Sequence, residues 1–84
     1  MHEATLCAEI TEIALKAAEK HGMSIVDEII ISAGPHSCIN EAALNFYFTM
    51  LRENTCLENA YITVECDETL TGISQMYVKS IKGE

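Results

Sequence analysis

Apolar residues repeat at helical spacing from Glu3 to about Lys20: Leu6, Ile10, Ile13, Ala14 and Ala17 form one stripe, with most charges elsewhere on the wheel. Glu12 and Lys16 stand one turn apart, in the favourable order for an ion pair. Gly22 follows, and suits the left-handed residue that closes a helix. Ile25 to Ala33 is rich in β-branched residues and predicts a strand, which Gly34-Pro35 ends. Its inward face is ambiguous, because Ile29/Ile31 and Val26/Ile30 are equally apolar. Asn40 then has the character of a helix N-cap, and Leu44, Tyr47, Phe48 and Leu51 make the stripe of a second helix reaching about Glu53. Ala60 to Cys66 alternates, with Ile62, Val64 and Cys66 on one face. Ile73 to Ile81 predicts a third strand after a polar connector, Asp67 to Gly72.

The order helix-strand-helix-strand-strand implies an α+β fold of one domain: a three-stranded mixed sheet with two helices on one face. The helix between the first two strands favours a right-handed crossover and a parallel pair. The short connector before the third strand favours an antiparallel hairpin.

With 84 residues the chain can bury only a small core, so a bound ion or partner would matter to its stability. Thirteen acidic against five basic residues give a net charge of −8. That balance disfavours nucleic acid and anionic membrane surfaces, both of which want clustered lysine and arginine. No stretch reaches the length of a membrane span, and the start lacks a basic segment followed by an apolar run, so a cytoplasmic location is expected. Cys7, Cys38, Cys56 and Cys66 include no C-x-x-C pair, so neither a zinc ribbon nor a dithiol motif is expected. Cys7, Cys56 and Cys66 sit among apolar neighbours and read as small core residues. No phosphate loop, H-E-x-x-H or G-x-S-x-G occurs, and the adjacent acids have no arrangement suited to catalysis. The chain is not expected to be an enzyme.

The chemistry that does stand out is at the beginning. The amine of Met1, the backbone nitrogen of His2 and the His2 imidazole can close chelate rings around one ion, with Glu3 able to complete the set. Such nitrogen-rich, square-planar ligation suits Ni(II) or Cu(II). A second candidate is His36 with Cys38, two residues apart in the loop before Asn40. Each also has an ordinary reading: a chance histidine near a frayed end, an exposed loop histidine, a half-buried thiol.

Met1-His2-Glu3, the helix after it, Gly34-x-x-Ser37 after a strand, the helix starting near Glu41-Ala42-Ala43-Leu44 and the ending Tyr77-Val78-Lys79-Ser80-Ile81 together resemble the HypA/HybF family. The resemblance covers almost the whole chain. It implies a nickel carrier serving hydrogenase or urease maturation, working with a nickel-handling GTPase, with His2 the principal ligand helped by Met1 and Glu3. It also implies an acid where Asn40 stands here, so either the nickel site is weaker or His36 or Cys38 replaces the missing ligand. Family members insert a zinc domain built on two C-x-x-C pairs between the last two strands. Only Asp67 to Gly72 occupies that place, so no structural zinc is expected. The competing expectations are a metal-free interaction module and a small homodimer that hides a sheet edge by pairing.

Overall fold

A computed structural model describes residues 3–37, 39–72 and 75–84. The elements are α1 (Glu3–Lys20), β1 (Val26–Ala33), α2 (Glu41–Leu51), β2 (Tyr61–Cys66) and β3 (Met76–Gly83). This is the expected α+β order, with α2 ending two residues early and β3 displaced toward the carboxyl end; Ile73 lies outside the described residues. Glu3 occupies the first turn of α1, where an acid faces the positive helix end, and Gly22 takes φ +65° past its last turn. The Glu12–Lys16 pair forms at 3.0 Å on the exposed side.

The sheet order is β2-β1-β3, with β1 parallel to β2 and antiparallel to β3. The parallel crossover is as expected, but the hairpin between β2 and β3 is not. β3 passes to the far side of β1 instead. β1 is the strand that can fill the centre, because six of its eight residues are buried. The connector makes the crossing over the end of β1: Asp67 N–H donates to Ala33 C=O at 2.8 Å and Gly34 N–H to Gln75 C=O at 3.1 Å. Gly34 leaves no room beneath it, since a Cβ there would stand 2.1 Å from the Leu70 carbonyl oxygen.

Both apolar sets of β1 are used. Ile29 and Ile31 face the helices, and an irregularity between Val26 and Glu28 brings Val26 into the same core. Ile30, on the other face, is also buried. Cys7, Ile10, Ala14 and Ala18 of α1, Leu44 and Phe48 of α2, and Leu57, Ala60 and Ile62 complete the core. Its apolar burial is the main stabilising contribution. Three positions depart from the periodic reading. Ile13 and Leu51 are exposed, because the contact line of each helix follows Leu6-Ile10-Ala14 and Leu44-Phe48 and leaves them one side step away. Cys66 shares the helix-facing side with Ile62 and Val64 in the register, but is exposed because the helices do not reach the end of β2.

The candidate metal-binding end

α1 returns to β1 through a short turn, and α2 connects two parallel strands, so both helices run against β1 and parallel to each other. Cys7 fixes their level: its Sγ donates to the Leu44 carbonyl at 3.4 Å. Cys7 lies four residues beyond Glu3, and Leu44 four beyond Asn40. The starts of the two helices therefore stand at one height, across a helix spacing of about 8–10 Å. The carboxyl ends of β1 and β2 lie at this same end, with the turn that carries His36 between β1 and α2. The start of α1 at Glu3, Asn40 and the His36 turn thus lie at one pole of the molecule.

His36 is exposed, in a turn closed by Ser37 N–H donating to Gly34 C=O at 3.1 Å. Asn40 caps α2 in extended geometry (φ −104°, ψ 113°), and its Oδ1 accepts from Ala43 N–H at 3.0 Å. One lone pair of that oxygen is committed to the cap, and an amide oxygen carries a second. Glu3 is half-buried. Met1, His2 and Cys38 lie outside the described residues. Among the described residues no three His, Cys, Asp or Glu side chains converge as a ready ion site.

Below the helix starts, an open groove of about 270 Å³ runs between the ends of β1 and β2, lined among others by Gly34, Ser37, Ile39, Val64 and Cys66. The crevice at the carboxyl ends of parallel strands is the usual location for ligands in such folds. Cys7 is no ligand for it: the thiol donates to Leu44, and burial raises its pKa above the usual value despite the opposing Thr11 hydrogen bond. Asp67, at the edge of this region, is held below the usual carboxylate value by hydrogen bonds from the Thr69 hydroxyl (2.6 Å) and N–H (2.9 Å).

The periodic reading missed the residues that hold α2 in place. Asn45 donates to Ile62 C=O at 2.9 Å and accepts from Ile62 N–H at 2.8 Å, as a neighbouring strand would. Glu41 accepts from Val64 N–H at 2.7 Å, and Arg52 donates to Ala60 C=O. The one available signal was an asparagine in mid-helix, where it competes with the backbone and needs a reason to be there.

A family described as hydrogenase/urease nickel incorporation, metallochaperone, matches residues 1–81. The chain is 32% identical over 68 residues to the hydrogenase maturation factor HypA of Pectobacterium atrosepticum, which is 81% of this chain and 58% of that protein. It is 31% identical over 65 residues to hydrogenase maturation factor HybF of Salmonella typhimurium, again 58% of its length. The chain thus spans well under two thirds of these relatives. The solution structure of the nickel metallochaperone HypA from Helicobacter pylori superposes with a TM-score of 0.78 at 12% identity, over 99% of this chain and 97% of that one, which is a likeness of fold. By sequence match over nearly its full length, the chain belongs to the HypA metallochaperone family, a family of nickel carriers and not of enzymes.

Proposed function

We propose that this chain carries Ni(II) as cargo, bound by the Met1 amine, the His2 backbone nitrogen and imidazole, and the Glu3 region. The observation that supports this most is the common pole. The helix starts stand level, so a donor from Asn40 or from the His36-Cys38 loop would face an ion held at the beginning of α1. Asn40 offers only a neutral oxygen, and Glu41 beside it is occupied with Val64 N–H. The nitrogen donors of the first two residues therefore do most of the binding. They must lose protons to do so, and affinity rises with pH.

The family supports hydrogenase or urease maturation proteins as recipients, and we infer a nickel-handling GTPase as their helper. These 84 residues contain no C-x-x-C pair that would hold a structural zinc. Protein with a free amino group on Met1 is expected to take up one Ni(II) near neutral pH, with square-planar absorption. His2→Ala, or an added amino-terminal tag, should abolish the band. Uptake unchanged by either alteration would refute the assignment of these ligands.

A metal-free interaction module is the second reading, favoured by the apolar outer side of α2 described below. Binding of a maturation partner that persists in chelator and in His2→Ala would favour it.

A further inference from the structure

α2 is unusual on the side away from the core. Between Glu41 and Arg52 it carries no charged residue. A surface helix ordinarily turns charged and polar groups outward. Here Phe46 is 66% exposed, Met50 59% and Leu51 41%. Phe46 and Met50 are one turn apart on the same side, and Tyr47, half-buried, meets Phe46 edge to face with ring centroids 5.5 Å apart. Scattered exposed apolar residues are ordinary, but several gathered on one helix with no charge among them mark a contact surface.

This outer side is not needed to hold α2. Leu44 and Phe48 anchor the helix inward, and Asn45, Glu41 and Arg52 tie it to β2 and the loop before it. We propose that Phe46, Met50 and Leu51 dock against an apolar face of a different protein, rimmed by lysine or arginine. Charge selects this occupant. The chain carries −8 overall, and Glu53 stands just past the apolar stretch, while the Glu41 carboxylate is taken up by Val64 N–H. Arg52 beside Glu53 is turned to Ala60 C=O and the Phe48 ring. A second copy would bring its own net charge of −8 to the contact. A basic rim would instead be steered to this surface and held there. Nickel plays no part in the contact, so it stands whether or not His2 binds the ion.

The test uses the full chain, isotope-labelled, and two synthetic peptides of the same leucine and lysine composition. One places leucine on a single helical face; the other has the order scrambled so that the face is lost. The amphipathic peptide should shift amide signals of residues 42–53. It should bind at least about tenfold more tightly than the scrambled one, and lose at least about tenfold with Phe46→Ser/Met50→Ser. Both substituted side chains are exposed, and an unchanged circular dichroism spectrum confirms the fold. Equal binding of the two peptides, undiminished binding by the double variant, or shifts centred on the acids of α1 would overturn the proposal. A self-dimer in sedimentation that the double variant dissolves would overturn it too, in favour of a second copy.

Discussion

The two edges of the sheet are closed in opposite ways. Along β2, the outward backbone groups of Ile62 and Val64 are paired with Asn45 and Glu41, so α2 serves as an extra strand built from side chains. Along β3, no side chain bonds the outer backbone among the described residues. The stabilising polar contacts of β3 lie on the open face, where Lys79 meets Glu65 at 2.9 Å and Lys82 stands 3.8 Å from Glu28. An edge with unpaired N–H and C=O groups is a place for pairing, and charged side chains are a common deterrent. The difference shows where this molecule needs rigidity. The fixed edge holds the helix whose start belongs to the candidate metal end and whose outer side is apolar. The freer edge is protected by these charges and by the irregularity between Val78 and Ser80, at little structural cost.

The largest effect on this contrast should come from Gly34→Ala. The new methyl meets the Leu70 carbonyl, part of the backbone, so the connector that sends β3 to the far edge must move. A loss of about 3 kcal/mol is expected, the upper range for overpacking, read from the urea midpoint. A neutral result would mean that the crossing is loosely held. Next is Asn45→Ala, which leaves both backbone groups of Ile62 without their partner. An edge that admits water limits the loss to about 2 kcal/mol. Faster hydrogen exchange should be confined to Ile62 and its neighbours in β2, with β3 amides unchanged. Exchange rising equally at both edges would remove the distinction drawn here.

The smallest effect is electrostatic and belongs to the β3 side. Glu65 raises the Lys79 pKa above its usual 10.5, through a hydrogen bond and its charge. A raised folded value means the stabilisation is fully present below 10.5 and is lost as pH climbs through the folded value. The Thr69 bonds lower Asp67 below its usual 3.8, so its contribution is complete above 3.8 and disappears as pH falls through the folded value. For these two groups stability should be level between those limits. Lys79→Met should flatten the alkaline limb of a urea-midpoint profile, and Asp67→Asn the acid limb. Because Lys79 and its partner Glu65 are both exposed, high salt should shrink the Lys79 effect. Titration of the Asp67 carboxyl at or above 3.8, followed by NMR, would contradict the turn that Thr69 closes.

The element order, the N-cap at Asn40, the closure at Gly22 and the core roles of Ile10, Leu44, Phe48 and Ile62 were legible along the chain. Each depends on a residue's immediate neighbours or on one repeat period. Of the candidate site, the residue types were legible, and so was the family through their order. That the start of α1 and the cap of α2 share one height was not, because it depends on a contact between Cys7 and Leu44, far apart in sequence.

The sequence by itself determined which segments coil, which extend and what chemistry the first residues offer, since propensity, capping and periodicity act over a few residues. Only the tertiary structure decided that β1 is central, that β3 crosses to its far edge, that Ile13, Leu51 and Cys66 stay outside, and that Asn45 and Glu41 close the edge of β2. A strand has two faces and two edges, and a helix a full circumference. Which of these is buried is settled by competition among all elements for one small core, and no local pattern records the outcome.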